Sequence, residues 1–235
     1  MASCFPAKRC ERLIDWEAFW LTIRLGGLTV LLLIPAAILT GRWLAATRMR
    51  GRAIVEAGLA LPLVLPPTVV GFYLMTAFGS GAWFGQMFER LFGQTLVFTF
   101  EGLLLASLIV NIPFAVQPIQ RAFEAVGPEL REAAASCGLS RWRTLWRIEL
   151  PLAWPGILTG TVLTFAHTLG EFGVVLMVGG SIPGETRTIA IAIYDRVQAF
   201  DEAAAGQMAA VLLLVSLATI AASYLLTQRI GRRYG

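Results

Sequence analysis

The one histidine of this chain lies in an apolar segment whose other polar residues recur at helical spacing. Steps of four, four, three and four residues separate Gly156, Gly160, Thr164, His167 and Glu171. If the segment is a helix, these steps put all five on one face. The glycines admit a close helix neighbour, and the polar side chains cannot face lipid cheaply. We therefore expect this face, with the adjacent Gly170, to line a polar pathway or gate.

A second candidate for the pathway is a proline cluster in another apolar segment. Pro62, Pro66 and Pro67 fall within six residues of a run that carries no charge. Each proline removes a backbone donor and clashes with the preceding turn, so we expect a broken or kinked helix. Inside a membrane, broken helices survive when they are packed in protein or line a wet cavity. We expect Pro66, Pro67 and Thr68 to form the break, which either lines the pathway or only shapes the bundle.

Other kinds of chemistry find little support in the sequence. The cysteines are Cys4, Cys10 and Cys137, without a CxxC pair, and one histidine is too few for a usual zinc site. Cys4 and Cys10 either pair outside the cytoplasm or remain free thiols. The sequence contains no Gly-x-x-x-x-Gly-Lys-[Ser/Thr] loop, so we expect no ATP site, no metal and no catalytic residues.

The composition is that of an integral membrane protein. Hydrophobic residues make up 57% of the 235, charged residues only 14%, and the mean hydropathy is +0.69. A disordered chain, a coiled coil and a water-soluble globule are excluded, because soluble domains carry about 25% charged residues. The net charge of +4 is too small to suggest a nucleic-acid partner.

Five apolar runs are long enough to cross a bilayer, since a spanning helix needs roughly 20 apolar residues. They are about Leu21–Leu44, a stretch within Ala57–Phe88, about Thr95–Gln120, about Leu152–Val178, and about Ala203–Gln228. The expected fold is all-α with five spans. A sixth span would be needed if the basic N-terminal tail lay in the cytoplasm.

The basic residues favour one orientation of these spans. The first connection, the third connection and the C-terminus hold twelve: Arg42, Arg48, Arg50, Arg52, Arg121, Arg131, Arg141, Arg143, Arg147, Arg229, Arg232 and Arg233. The other side holds six: Lys8, Arg9, Arg12, Arg90, Arg187 and Arg196. We predict a cytoplasmic C-terminus and an N-terminus outside.

In this orientation the three charges inside spans, Arg24, Glu101 and Glu171, all fall in the outer part of the membrane. They either reach the interface or pair with one another. Alternatively, an ion pair such as Arg24 with Glu171 holds an outer gate closed.

The third connection, residues 126–151, is predicted to form two short helices around a glycine turn. Pro128 suits a first helical position and Gly138 a left-handed stop. Ser140 can cap a second helix, which Pro151 should end.

This connection resembles the EAA loop of the permeases of bacterial ABC importers. The matching residues, at the family's spacing, are Glu132, Ala133, Ala134, Gly138, Ile148, Leu150 and Pro151. The run Leu61–Gly71 and the segments His167–Gly173 and Ile182–Ile189 look like those of molybdate permeases.

The resemblance implies a type I importer permease in one transmembrane domain, residues 1–235. Its parts would be an N-terminal tail (1–18), the coupling loop (126–151) and an outer loop (179–202). It also implies a homodimer in the bacterial inner membrane, two subunits that bind ATP and magnesium, and a periplasmic oxyanion-binding protein. The seven EAA residues would dock on the ATPase subunit.

Three alternatives remain open from the sequence. The same machine could carry tungstate or sulfate. The chain could be an ion-driven transporter or channel, but such folds often show internal repeats, and none is visible here. A membrane enzyme would need a catalytic constellation that the sequence does not display.

Overall fold

A computed structural model describes residues 14–234, apart from the side chains at 223 and 226–234. Predictions on Cys4, Cys10 and the basic tail before residue 14 lie outside the described residues. Over the described range the regular elements are helices. They are α1 Trp16–Ala46, α2 Arg52–Val64, α3 Pro67–Phe78, α4 Trp83–Phe92, α5 Phe100–Ala125, α6 Pro128–Ser136, α7 Arg141–Thr144, a π-helical segment Leu145–Glu149, α8 Leu150–Gly170, α9 Gly173–Gly179, α10 Ile189–Gln198 and α11 Glu202–Tyr234.

Four stretches of helix are long and apolar enough to cross a membrane singly. They are Trp16–Ala46, Phe100–Ala125, Arg141–Gly170 and Glu202–Ala222. A fifth crossing arises if α2 and α3, bent by 107°, form one broken span. The all-α fold is therefore confirmed, and length and composition give four spans, or the predicted five if α2 and α3 form one broken span.

The centre of the bundle is formed by α1, α5 and α8, which pack against one another. Close approach depends on small residues: a Cβ at Gly41 of α1 would lie 3.0 Å from the backbone nitrogen of Gln120 in α5. Leu44, Ile119 and Phe123 fill the core beside this contact. Large apolar side chains such as Leu31 point outward, as expected where lipid rather than water surrounds the bundle. We call the end that carries α6 and α7 the loop end.

The proline cluster breaks the second span at the predicted place. α2 ends at Val64, and α3 begins at Pro67. Pro67 takes the first helical position, where its missing N–H would have had no intrahelical partner. Pro62, in contrast, is accommodated inside α2. The break therefore comes from Pro66–Pro67 rather than from all three prolines.

The fourth span is not the continuous helix predicted for 152–178. α8 ends at Gly170, and the shorter α9 starts three residues later. Glu171 has extended backbone, and its carboxylate accepts a hydrogen bond from the Val174 N–H at 3.1 Å. The glutamate thus caps α9 and separates two helices, although the sequence suggested the last polar residue of a single face.

Candidate functional site

The helix–turn–helix predicted at the loop end is present. Gly138 follows α6 with φ of +76°, in the left-handed region where an L side chain would be strained. The Ser140 hydroxyl accepts a hydrogen bond from the Arg143 N–H at 3.4 Å and so caps α7. Sequence reasoning identified the turn and the cap because both depend on local backbone chemistry.

The prediction that Pro151 ends the second helix is wrong. The chain continues from α7 through the π-helical segment into α8, with Pro151 as the second residue of α8. The Leu150 N–H bonds to the Leu145 carbonyl five residues back, which is a π turn. The helix therefore passes through Pro151 instead of ending there.

The seven residues matched to the EAA loop differ in exposure. Glu132, Ala133, Gly138 and Pro151 are exposed, Ile148 and Leu150 are partly buried, and Ala134 is buried. Two tryptophans of the same loop, Trp142 and Trp146, are 60% and 59% exposed and lie edge to face. The loop end therefore presents aromatic surface beside small residues and a carboxylate, a combination suited to a protein partner.

A chain of polar side chains crosses the interior of the bundle from α1 to α9. The Thr29 and Ser107 hydroxyls are 2.9 Å apart. The Asn111 amide donates to the Ser107 carbonyl at 2.8 Å, and its oxygen faces Nδ1 of His167 at 3.1 Å. Nε2 of His167 lies 3.4 Å from Oε2 of Glu171. This polar chain, Thr29–Ser107–Asn111–His167–Glu171, links four helices.

The contacts of His167 restrict which protonation states its ring can adopt. Because an amide oxygen only accepts, Nδ1 must donate to Asn111. A neutral ring then has a lone pair on Nε2, directed at the Glu171 carboxylate. An imidazolium with a carboxylate, or an imidazole with a carboxylic acid, would place a proton between these two atoms.

The break in the second span and the end of α8 lie together. A Cβ added at Gly173, two residues after Glu171, would come within 2.8 Å of the Pro67 ring and 3.5 Å of the Thr68 nitrogen. Similarly, Gly71 of α3 packs against Met177 and Val174 of α9. Pro67, Thr68 and Glu171, which are far apart in sequence, therefore belong to one region.

The remaining predicted pathway residues are placed differently. Pro66 is exposed at the break, and Gly170 is exposed with open space around it. Thr164 is fully buried, and its hydroxyl has no hydrogen-bond partner among the described residues. Gly156 and Gly160 pack on α5. The predicted polar face of α8 therefore contacts another helix in its part nearer the loop end.

Thr29, Ser107 and Asn111 were not singled out from the sequence. An amide side chain in an apolar span, such as that of Asn111, indicates a position that faces the interior of the bundle. However, the sequence does not show which helix faces that amide, and only the fold connects it to His167.

The suggested Arg24–Glu171 gate is not formed. The Arg24 guanidinium lies 4.5 Å from the centre of the Phe100 ring, whereas Glu171 faces His167. Arg24 and Glu101 both line a cavity of about 570 Å³ at the end of the bundle opposite the loop end, together with Glu17 and Glu185. Two of the three in-span charges thus lie around this opening, as expected of charges near a span's end.

Replacing Glu171 with leucine should destabilise the fold by about 2 kcal/mol, since the change removes the cap of α9 and leaves Nε2 of His167 unpaired. Glu171→Gln should cost less than half of that, because an amide can still accept from Val174 and donate to His167. Thermal unfolding of both variants in detergent measures the difference. Equal loss in the two variants would contradict the role assigned to the polar atoms.

A bundle of apolar helices with a broken span, a polar interior and a charged helix–turn–helix at one end defines a membrane-embedded transport subunit. The family described as "Binding-protein-dependent transport system inner membrane component" matches residues 34–234. The chain belongs to this family.

Relatives with assigned roles align over most of the chain. The molybdenum transport system permease protein ModB of Azotobacter vinelandii is 46% identical over 210 residues, which cover 89% of this chain and 93% of that protein. ModB of Escherichia coli K12 is 38% identical and covers 93% and 94%. The sulfate transport system permease protein CysT of E. coli is 34% identical and covers 79% and 67%.

Solved structures agree on the fold. A bacterial ABC transporter that imports the polysaccharide alginate superposes with a TM-score of 0.76 at 20% identity, over 94% of this chain and 80% of that chain. The MetNI methionine ABC transporter, in inward-facing form, gives 0.68 at 16% identity over 92% and 94%. The fold is that of type I ABC importer permeases.

Proposed function

We propose that this chain is the membrane-spanning subunit of an ABC importer that moves molybdate into the cytoplasm. The observation that carries the proposal is the 46% identity to a molybdenum permease along nearly its whole length. Sulfate is the second candidate substrate. The sulfate permease of E. coli is less similar to this chain than the molybdenum permease, and the alignment covers 67% of its length. Tungstate has the same charge and shape as molybdate, so it belongs to the same proposal.

The proposed assembly has two copies of the chain, two ATP-binding subunits and a periplasmic oxyanion-binding protein. ATP and magnesium bind to the ATPase subunits, and the chain itself needs no cofactor. The loop end lies in the cytoplasm, with the C-terminus, and the N-terminus lies outside. The support for this orientation is the excess of arginines in the connections of the loop end. Residues 126–151 are the coupling loop, and 179–202, which include α10, face outward.

The proposed docking surface for the ATPase subunit is the exposed side of the coupling loop. Its candidate residues are Glu132, Ala133, Gly138 and Pro151, which are exposed, together with Ile148 and Leu150, which are partly buried, and Ala134, which is buried. The small residues allow close contact, and Glu132 supplies a charge that is free to meet a basic partner. ATP binding would draw the two loops of the dimer together and open the pathway outward.

The proposed pathway passes between the two copies, along the broken span and the polar face of α8. Pro66, Pro67, Thr68, Thr164, His167, Gly170 and Glu171 are its candidate residues. α2 contributes no buried residue within one copy, which leaves its surface available to a second copy. The contacts with the oxyanion should be weak, because conduction requires release.

The experiment combines the chain with the ATPase and binding protein encoded beside it, reconstituted in lipid vesicles. Uptake and ATP hydrolysis are measured with binding protein loaded with molybdate, tungstate or sulfate. We expect molybdate and tungstate to stimulate both activities and sulfate to stimulate neither. Stimulation by sulfate alone would contradict the substrate. Uptake that needs no ATP and collapses with an ionophore would indicate an ion-driven transporter instead.

A further inference from the structure

A buried carboxylate at the loop end joins the coupling helix to the transmembrane bundle. Glu149 is 1% exposed, and its two oxygens have different partners. Oε2 accepts from Nε of Arg42, in α1, at 2.5 Å. Oε1 accepts from Nε of Arg131, in α6, at 2.6 Å. We call Arg42, Glu149 and Arg131 the Glu149 clasp.

Both arginines of the clasp also hold backbone groups. The Arg131 guanidinium donates to the carbonyl of Phe123, near the end of α5, at 2.9 Å. The Arg42 guanidinium donates to the carbonyl of Arg141, at the start of α7, at 3.2 Å. The clasp therefore ties together α1, α5, α6, α7 and the start of α8. A planar guanidinium with several donors in fixed directions suits such multiple attachment.

The π-helical segment places Glu149 in this position. One additional residue in the turn rotates the later residues relative to a regular α-helix, and Glu149 is the last residue of the segment. Its neighbours Arg147 and Ile148 are exposed and partly buried, while Glu149 is turned fully inward. Short π segments frequently occur at functional positions.

The coupling helix has few other attachments to the bundle. Within α6, Ala134 is the one buried residue, and the helix is nine residues long. A helix that moves a bundle must be joined to it by contacts that do not slide. Apolar contacts alone do not provide such a joint here, whereas an ion pair between a buried carboxylate and two arginines has a fixed geometry.

We propose that the Glu149 clasp is the joint that transmits the displacement of α6 to α1 and α8 during the transport cycle. Arg42, Glu149 and Arg131 are positioning residues: they contact neither the oxyanion nor ATP. Without the clasp, the ATPase subunits move α6 while α1 and α8 stay behind. This inference rests on the proposed function, and it predicts hydrolysis of ATP without transport.

The test measures molybdate uptake and ATP hydrolysis together in the reconstituted complex and takes their ratio. Glu149→Gln is the first variant. The second is the triple change Arg42→Met, Glu149→Leu and Arg131→Met, which removes all three charges and so avoids an unpaired ion in the interior. Because small misplacements have large effects on coupled steps, we expect molybdate moved per ATP to fall about tenfold in both while hydrolysis persists.

A matched control is Glu124→Gln. The Glu124 carboxylate also pairs with two arginines at the loop end, Arg52 and Arg121, but it joins α5 to α2 rather than to α6. The molybdate moved per ATP by Glu124→Gln should stay within about twofold of wild type, since the Glu124 carboxylate is more exposed than that of Glu149.

A triple variant that folds and retains the wild-type ratio overturns the inference. So does a parallel loss of hydrolysis and uptake, or release of the ATPase subunit, because the clasp would then only hold the fold or the docking surface together. Each of these outcomes is compared with a wild-type complex that takes up molybdate. A wild-type complex that takes up no molybdate contradicts the proposed function instead.

Discussion

Replacing Gly156 with leucine is expected to destabilise the protein by about 3 kcal/mol, because the new side chain forces α8 away from α5. A Cβ at this position would lie 2.3 Å from the Cβ of Ala122 and 2.7 Å from the Pro118 carbonyl oxygen. The Pro118 oxygen is a backbone atom and the Ala122 Cβ is bonded directly to the backbone, so neither can turn aside as the end of a long side chain can. In a membrane, where packing rather than water exclusion holds helices together, this separation affects the centre of the bundle.

The measurement is the unfolding temperature of the purified chain in detergent, with its expression level as a second indicator. Gly27→Leu is the matched control, since it adds the same side chain at an exposed glycine of α1 with nothing within 4 Å of the new Cβ. The control should remain close to wild type. If both variants unfold alike, close packing between α5 and α8 is not what Gly156 provides.

Features that depend on local backbone chemistry were predictable from the sequence. Two adjacent prolines break a helix wherever they occur, and the break lies at Pro66–Pro67. A glycine between two short helices adopts the left-handed conformation, and Gly138 does so. A serine before a helix caps it, as Ser140 does.

Features that depend on neighbouring helices were not predictable. Spacing placed Glu171 on one face with His167, and the two side chains do meet. However, nothing in the spacing shows that the backbone turns at Glu171, which caps a second helix instead of pairing with Arg24. Whether a polar residue pairs across the bundle depends on which helix approaches it.

Pro151 illustrates the limit of a local rule. A proline ends a helix when its missing donor and its ring disturb a regular turn. Here the preceding turn is a π turn, and Pro151 occupies an early position of the next helix. The π turn also changes the helical register so that Glu149 is buried. The EAA signature does not define the residue type at position 149.

The coupling surface leads to the largest expected effect on function. Glu132 is exposed on α6, so Glu132→Lys should leave the fold of the permease unchanged. If the carboxylate meets a basic group of the ATPase subunit, reversing its charge places like charges together and costs about 2–5 kcal/mol of binding. This corresponds to a loss of affinity of at least about thirtyfold. Molybdate uptake should disappear with it.

The binding of purified ATPase subunit to the chain in lipid nanodiscs measures this loss directly. Glu89→Lys makes the same charge change on the exposed face of α4, away from the loop end, and should bind like wild type. A double charge reversal supplies the stricter test. If a basic residue of the ATPase subunit is the partner, its change to glutamate should restore binding to Glu132→Lys and weaken binding to wild type. If Glu132→Lys binds the ATPase subunit with wild-type affinity, Glu132 does not belong to the docking surface. If molybdate uptake is unchanged too, the coupling role of the loop is contradicted.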